Sequence, residues 1–326
     1  MKESIAVIGS GLSGITVASI VKKKFSIDIF EKSRGVGGRM STRKEYPFIF
    51  DHGAQFFKIK TFDFMNFVSE LFTKKIIQPW NFKLAYFNKN NLKKIKVIKK
   101  TDNFFVGVPN MDSIVKYLSK NCNVTLNTKI EKIIKKNNKW YLYDQNKKKC
   151  GQYDWVILSL PAKQSLDLIT KNASFYGSIE KIKMKSCFSL MVGINESLKL
   201  NYDAALIENS DIAWLAVNDS KPGRMKKNSL LVNSSYDYAA KNINPTKEKI
   251  LKHLINVTSN LIKYELLNTS VTKLHQWKYV EAENSPNENY FIDNNEKIGI
   301  CGDWFIDSRV EGAFTSAKEL SKEILK

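Results

Sequence analysis

Apolar and polar residues at the start of the chain follow two patterns, one typical of strands and one typical of a helix. Ser4 to Ile8 is a short apolar run, Leu12 to Lys24 has helical spacing, and Ile27 to Glu31 alternates as strands do. A strand, a helix and a second strand within about 30 residues form a β-α-β unit. We therefore expect the chain to open with two parallel strands covered by a helix.

The same patterns predict further elements along the chain. Helices are predicted at 61–73, 111–120, 246–264 and 310–325. Strands are predicted at 48–51, 83–87, 95–99, 130–134, 140–143, 155–158, 188–194, 230–233 and 298–301, with 83–87 and 95–99 pairing as a hairpin.

The loop after the first strand carries a glycine pattern, Gly9-Ser10-Gly11-Leu12-Ser13-Gly14. A strand before it and a helix after it are the context that the dinucleotide-binding fingerprint requires. Gly9 permits the tight turn, Gly11 lets the backbone approach a pyrophosphate, and Gly14 lets the helix pack closely on the strand. Free N–H groups at the helix start favour the pyrophosphate there.

Two features downstream strengthen the nucleotide interpretation. Glu31 ends the second strand, 31 − 14 = 17 residues after Gly14, where a carboxylate accepts hydrogen bonds from ribose hydroxyls. A second glycine cluster, Gly35 to Met40, suits a ligand that extends past the pyrophosphate. Within it, Arg39 could pair with a phosphate oxygen.

Composition narrows the class of protein. The 326 residues are 43% hydrophobic, enough for a substantial core, and the formal net charge is +20. The lysine clusters are read as solvated faces or as attraction for anions, and none is interleaved with aromatic residues as a nucleic-acid groove needs.

Metal, disulfide and membrane roles lack a sequence signal. The four cysteines form no C-x-x-C pair and the three histidines do not cluster with them, so we expect no metal site. Unpaired thiols suit a reducing compartment. No stretch beyond the nucleotide loop approaches the ~20 apolar residues of a membrane span, and we expect a soluble, cytoplasmic protein.

Five segments resemble the flavin-containing amine-oxidase superfamily. They are 32–42 (the G-G-R-[ML] signature), 51–56 (D-x-G-A-Q-x), 108–111 (x-P-G-M, with Asn110 in place of glycine), 159–162 (L-P-A) and Gly302-Asp303 with 309–313 (the C-terminal flavin motif). Within the superfamily, the D-x-G-A-Q form and the segment 275–279 look most like the bacterial renalase-like subgroup.

The resemblance implies non-covalent FAD, and Cys301 in a buried strand is a poor place for a flavin link. Asp303 would hold a ribityl hydroxyl, and the helix starting near Val310 would aim its N–H groups at the flavin. The residues expected to bind the cofactor are Gly9, Ser10, Gly11, Leu12, Ser13, Gly14, Glu31, Lys32, Gly38, Arg39, Met40, Gln55, Phe56, Ile130, Gly302, Asp303, Val310, Gly312 and Ala313.

Catalytic residues cannot be assigned from the sequence, because a flavin carries the chemistry and the protein supplies position and electrostatics. Trp277 and Tyr279 are candidates to line the flavin face, and a core position explains each of them about as well. Trp214 is a weaker candidate for the same role.

The expected fold class is α/β, a Rossmann-like FAD-binding domain with an inserted α+β substrate domain of mixed or antiparallel sheet and helices. We expect the FAD-binding domain at 1–56, 102–162 and 296–326, and the substrate domain at 57–101 and 163–295.

The leading functional hypothesis is a renalase-like oxidase of misformed dihydronicotinamide dinucleotides. Hydride would pass to the flavin and then to oxygen, and the small-molecule substrate would be anionic. The alternatives are an amine oxidase, a desaturase or isomerase acting on a lipid, and a non-enzymatic module that binds FAD without turning over a reductant. An aromatic cage beside the flavin would favour an amine, and a cationic pocket would oppose one.

Overall fold

The computed structural model describes residues 2–171, 173–196, 198–242, 245–266 and 269–326. Its α-helices are α1 (Leu12–Val21), α2 (Phe62–Thr73), α3 (Ser113–Leu118), α4 (Ala162–Leu166), α5 (Tyr176–Glu180), α6 (Tyr236–Lys241), α7 (Lys247–Ile262) and α8 (Val310–Ile324). Its strands are β1 (Ser4–Ile8), β2 (Ser26–Phe30), β3 (Arg43–Glu45), β4 (Phe48–Phe50), β5 (Ile77–Pro79), β6 (Phe82–Asn88), β7 (Asn91–Ile98), β8 (Phe105–Gly107), β9 (Asn123–Thr125), β10 (Ile130–Lys136), β11 (Lys139–Asp144), β12 (Lys149–Tyr153), β13 (Trp155–Leu158), β14 (Met184–Gly193), β15 (Ala204–Glu208), β16 (Ile212–Val217), β17 (Ser229–Ser234), β18 (Val271–Ala282), β19 (Phe291–Asp293) and β20 (Ile298–Ile300).

A six-stranded sheet holds the two ends of the chain together, in the order β19-β20-β13-β1-β2-β9. All pairs are parallel except that of the edge strand β19 with β20. The predicted β-α-β unit is therefore confirmed, with β1 beside β2. Strands β1 and β13 are buried along nearly all of their length, because helices α1 and α8 cover one face of the sheet and the three-stranded sheet β10-β11-β12 packs on the other.

A seven-stranded sheet forms the second layer, in the order β18-β14-β17-β16-β15-β6-β7. Its pairs are antiparallel except for β6 with β15, so the sheet is mixed, as expected from the sequence. The predicted hairpin is confirmed as β6 and β7. A smaller sheet, β10-β11-β12, packs against the six-stranded one. The domain boundaries expected above remain a proposal.

Three helices are at least three residues shorter than the sequence predicts: α1, α3 and α7. Helix α1 ends at Val21 rather than Lys24, and the Lys24 N–H donates to the Val21 carbonyl in a tighter i→i−3 turn. Helix α3 begins at Ser113 rather than Met111, because the Ser113 N–H closes a preceding turn on the Asn110 carbonyl at 3.1 Å. Helix α7 ends at Ile262 rather than Tyr264, because Lys263 is left-handed, with φ 53°. No helix within the described ranges is long and apolar enough to cross a membrane.

Helix α8 ties the end of the chain to its beginning. It packs on α1, and Ser13 Oγ donates to the Ala313 carbonyl at 2.9 Å. In its first turn, Glu311 is 6% exposed and accepts from the N–H groups of Lys60 and Thr61 at 2.7 and 2.8 Å. A carboxylate is favourable at a helix N-terminus, and here it also satisfies backbone donors ahead of α2.

We predict that Glu311→Ala lowers the free energy of unfolding by about 2 to 3 kcal/mol, because two N–H groups lose their charged acceptor. Urea denaturation followed by circular dichroism measures this. Glu319→Ala removes a more exposed carboxylate of the same helix and should change stability by less than about 0.5 kcal/mol. Equal losses in the two variants would show that the Glu311 contacts contribute nothing.

Candidate active site

A cavity of about 2010 Å³ is lined by residues from both large sheets and from the loops at the carboxyl ends of β1, β2 and β13. The carboxyl ends of parallel strands are where open α/β sheets bind ligands. Ligand pockets commonly measure roughly 300 to 1,000 Å³, so this one has room for a large cofactor and a substrate together.

The glycine loop has the backbone geometry that the fingerprint requires. Gly9 has φ +106°, in the region that favours glycine, and a Cβ there would lie 2.5 Å from the Ser159 carbonyl oxygen. A Cβ on Gly14 would lie 2.1 Å from the Gly9 oxygen, so only glycine lets α1 pack this closely. A Cβ on Gly11 would meet nothing within 4 Å, because this residue faces the cavity. Helix α1 has no acidic residue in its first turn to compete with a bound anion.

Glu31 lies beside this loop and organises it. One carboxylate oxygen accepts from Ser10 N and Oγ at 2.9 and 2.8 Å, and the other accepts from the Ser33 N–H at 2.9 Å. The second oxygen keeps lone-pair capacity for a ribose hydroxyl, because a carboxylate oxygen accepts more than one hydrogen bond.

Most residues expected to bind a cofactor line the cavity: Gly9, Gly11, Leu12, Ser13, Glu31, Lys32, Gly38, Arg39, Met40, Gln55, Phe56, Ile130, Gly302, Asp303, Val310 and Ala313. Three lie behind its wall. Ser10 bonds Glu31, Gly14 packs on Gly9, and a Cβ on Gly312 would lie 2.5 Å from Asp307 Oδ1. The flavin-face candidates Trp214, Trp277 and Tyr279 also line the cavity.

Arg39 joins the second glycine cluster to the C-terminal motif. Its guanidinium donates to Asp303 Oδ1 at 2.5 Å and to the Val280 carbonyl at 3.0 Å. Burial raises the pKa of Asp303, and the neighbouring Arg39 opposes that rise. Arg39 and Asp303, both expected to contact the cofactor, therefore already bond each other, and this ion pair fixes both side chains at the cavity wall.

A buried ion cluster, Asp51 with Lys221 and Arg224, stands behind the cavity wall and was missed by sequence reasoning. Arg224 and Lys221 approach Asp51 Oδ2 at 2.6 and 3.4 Å, and all three side chains are at most 1% exposed. Burial by itself would raise the pKa of Asp51, but the two cations outweigh it and lower the pKa to about 2. Burial also lowers the pKa of Lys221, to about 8, so the cluster carries a net positive charge at neutral pH.

Gln55 bonds to this cluster, and both ends of its side-chain amide are already hydrogen-bonded within the protein. Its Nε2 donates to the carbonyls of Asp51 and Gly53, and its Oε1 accepts from Lys221 Nζ at 3.2 Å. We therefore expect Gln55 to act on a cofactor indirectly, by holding the loop 51–55 at the cavity rather than by hydrogen-bonding the cofactor.

Three aromatic rings, those of His52, His275 and Trp277, form one wall of the cavity. Ring centroids lie 4.4 to 5.1 Å apart, and Trp277 Nε1 donates to the His52 carbonyl at 2.8 Å. Burial, with His275 and Arg43 nearby, lowers the pKa of His52 to about 3. Burial likewise lowers the pKa of His275. This wall is therefore electrically neutral at pH 7.

One row of cross-strand neighbours forms the floor of the cavity. It runs across six strands of the seven-stranded sheet through Tyr86, Leu206, Trp214, Asn233, Ser189 and His275. Side chains that are paired in register stand on the same face of a sheet. The floor therefore changes from apolar and aromatic at Tyr86 to polar at His275.

These features fit an elongated flavin dinucleotide. Gly11 leaves open space at the start of α1, Glu31 offers an acceptor at the end of β2, and Val310 and Ala313 bring the start of α8 to the same cavity. The described residues contain no group of three or more His, Cys, Asp or Glu side chains placed to hold a metal ion.

Comparison with known proteins agrees with the geometry. Residues 7–71 match the family of NAD(P)-binding Rossmann-like domains. Renalase from Mus musculus is 21% identical over 345 residues, covering 98% of this chain and 97% of renalase. The crystal structure of a protein assigned as a protoporphyrinogen oxidase, from Exiguobacterium sp. 255-15, superposes with a TM-score of 0.79 at 10% identity and 99% coverage of both chains. A double mutant of putrescine oxidase superposes with a TM-score of 0.71 at 9% identity, covering 100% of this chain and 99% of that one.

The chain therefore shares the fold of these two solved oxidase structures over nearly its whole length. Its sequence is related to that of renalase over nearly the whole length of both proteins.

We predict that Gly14→Ala lowers the free energy of unfolding by about 2 to 3 kcal/mol, because the new methyl group overlaps the Gly9 carbonyl. Gly11→Ala should leave the stability of the apoprotein within about 0.5 kcal/mol and weaken cofactor binding, since its methyl group enters the cavity. Urea denaturation of the apoprotein and flavin titration by fluorescence separate the two effects. The loop assignment is wrong if both variants bind flavin as the wild type does.

We predict that His52 makes the protein less stable in mild acid. Its pKa is about 3 in the folded protein and 6.5 in its ordinary state, so below pH 6.5 the unfolded chain takes up a proton that the folded one does not. Stability should be full above pH 6.5 and fall by about 1 to 2 kcal/mol by pH 5 from this group. Urea denaturation at pH 7.5 and pH 5 should show a smaller fall for His52→Gln than for the wild type. The same fall in both would place the proton elsewhere.

Proposed function

We propose that the protein is an oxidase that binds FAD without a covalent link and oxidises misformed dihydronicotinamide dinucleotides. A bound flavin supplies the hydride acceptor. The substrate ring loses a hydride and becomes aromatic, and oxygen then accepts two electrons and two protons to give hydrogen peroxide. The full-length similarity to renalase supports this proposal.

The charge distribution of the cavity is the observation that carries the proposal. Each carboxylate that lines it is already engaged: Glu31 and Glu311 by N–H groups, and Asp112, Glu131, Asp167, Asp303 and Asp307 by lysine or arginine side chains. In contrast, Arg34, Lys44, Lys58 and Lys278 line the cavity with no carboxylate within 4 Å among the described residues. A cavity with this excess attracts phosphates and repels ammonium groups.

The neutral aromatic wall also suits a dihydropyridine substrate. Loss of a hydride from such a ring requires no general base, and the lowered pKa values of His52 and His275 keep both imidazoles uncharged at neutral pH. The protein then contributes by orienting the ring and by excluding water, which strengthens electrostatic interactions in the cavity.

An amine substrate is the second candidate. The fold similarity to putrescine oxidase and the rings of Trp214 and Trp277 at the cavity favour it, because aromatic faces attract cations. The unpaired lysines oppose it. A lipid substrate, the third hypothesis, gains some support from the apolar half of the floor.

The thiols are consistent with non-covalent FAD and a cytoplasmic location. Cys187 lines the cavity, but burial raises its pKa to about 12, so it is a protonated thiol and a poor nucleophile. Cys301 is fully buried and its pKa is raised by burial. All four cysteines are free, as a reducing compartment keeps them.

We predict that the FAD-loaded protein is reduced rapidly by 6-dihydro-NAD or 2-dihydro-NAD under anaerobic conditions, and slowly or not at all by ordinary NADH or by amines. Stopped-flow absorbance of the flavin band measures the reduction. Admission of oxygen should restore the band and release one hydrogen peroxide for each substrate oxidised.

Bleaching by an amine and not by the isomers would overturn the proposal and support an amine oxidase. Bleaching by neither, in protein that retains FAD, would also overturn it and direct the search to lipids. Reduction by the isomers without reoxidation by oxygen would contradict the oxidase part alone and indicate another electron acceptor.

A further inference from the structure

The part of the cavity beyond the neutral wall of His52, His275 and Trp277 is lined by aromatic and apolar side chains, and we call it the aromatic lobe. It comprises Phe56, Tyr86, Phe104, Leu206 and Trp214, with Lys58 at its edge, and all six line the cavity. Tyr86, Leu206 and Trp214 form the apolar end of the floor row, and Phe56 follows the loop 51–55 that the ion cluster holds. The lobe is therefore continuous with the proposed site of hydride transfer and distinct from the glycine loop.

The rings of the lobe are packed at their edges and open towards the cavity. Phe56 lies 4.6 Å from Phe104 and 5.8 Å from Trp214, measured between ring centroids. Phe56, Tyr86 and Phe104 are each only partly buried, and Leu206 is 40% exposed. Partly exposed rings around a concave surface can stack on a planar aromatic ligand.

Lys58 adds a positive charge at the rim of these rings. Its Nζ lies 4.3 Å from the centroid of Phe104, and no carboxylate within the described ranges approaches it to 4 Å. The lobe thus combines aromatic surface with an ammonium group at its rim, a composition that suits a base joined to phosphates.

Trp214 adds a large aromatic ring to the lobe. The residue lines the cavity and is 9% exposed, while its Nε1 is buried and has no partner among the residues that the structure describes. Trp214 therefore contributes to the lobe through the exposed surface of its ring rather than through its N–H group.

We infer that the aromatic lobe binds the adenosine diphosphate half of a dinucleotide substrate, while the other half lies at the neutral wall beside the flavin. The purine stacks on the rings, and Lys58 pairs with a phosphate. This inference rests on the proposed function, because it takes the substrate to be a dinucleotide. It adds that recognition of the second nucleotide occurs on the floor of the seven-stranded sheet.

The direct test is the binding of ADP-ribose to FAD-saturated protein by isothermal titration calorimetry. We expect Lys58→Ala to weaken binding about tenfold, the loss of one charge-assisted contact. Trp214→Leu removes a stacking ring and should weaken binding several-fold. Lys120→Ala is the matched control, because Lys120 also lies over a ring, that of Tyr117, at 4.8 Å and does not line the cavity. Absence of binding, or equal binding by wild type and Lys58→Ala, would overturn the inference.

A kinetic test uses the isomers of dihydronicotinamide in two forms, the dinucleotide and the mononucleotide that lacks the adenylate. In the wild type, KM should be lower for the dinucleotide. In Lys58→Ala, KM for the dinucleotide should rise about tenfold, while KM for the mononucleotide and kcat for both should change little.

The two tests separate failure of the lobe from failure of the proposed function. Turnover of both forms with no effect of Lys58→Ala on either KM would overturn the lobe assignment and leave the proposed oxidation intact. Binding of ADP-ribose that depends on Lys58, without reduction of the flavin by either isomer, would overturn the proposed oxidation and support a nucleotide-binding lobe.

Discussion

The site depends on how one buried carboxylate is satisfied. Asp51 is fully buried, and a charge in such a place is tolerated only when it is paired and hydrogen-bonded. Here its partners come from three remote segments: Thr42, the Met111 N–H, and the pair Lys221 and Arg224. The carboxylate therefore fixes the loop 51–55 relative to the second glycine cluster, to the start of α3 and to the loop after β16.

The loop 51–55 in turn contacts groups on both sides of the cavity. A Cβ on Gly53 would lie 2.0 Å from the Arg39 carbonyl oxygen and 3.4 Å from the Trp277 ring. The backbone here therefore contacts both the second glycine cluster and the wall of His52, His275 and Trp277. The Ala54 N–H donates to the Arg39 carbonyl at 2.8 Å, and the His52 carbonyl accepts from Trp277. Because packed interiors tolerate little displacement, the relative position of cofactor loop and wall follows from these contacts.

The sequence predicts the local parts of this arrangement better than the remote ones. Periodicity and glycine spacing predicted β1, α1, β2 and the loop between them, because those features arise from neighbouring residues. Lys221 and Arg224 gave no signal, since an ion pair with Asp51 spans about 170 residues and leaves no pattern along the chain. The floor row was equally hidden, because it depends on the register of six strands, and a shift of one residue in any strand would turn its side chain away.

The large positive charge of the chain bears on function only where lysine and arginine side chains line the cavity. Most lysines lie on solvated surface, where a charge costs little and says little about function. At the cavity, by contrast, carboxylates are paired with Arg39 and with backbone N–H groups of the glycine loop and of the residues before α2. Arg34, Lys44, Lys58 and Lys278 line the same cavity without a carboxylate partner among the described residues. The wall of His52, His275 and Trp277 is neutral, because burial lowers the pKa of both histidines. An uncharged ring carried on anionic groups is complementary to both regions at once, whereas a small ammonium ion is attracted by the aromatic faces but repelled by the free lysines.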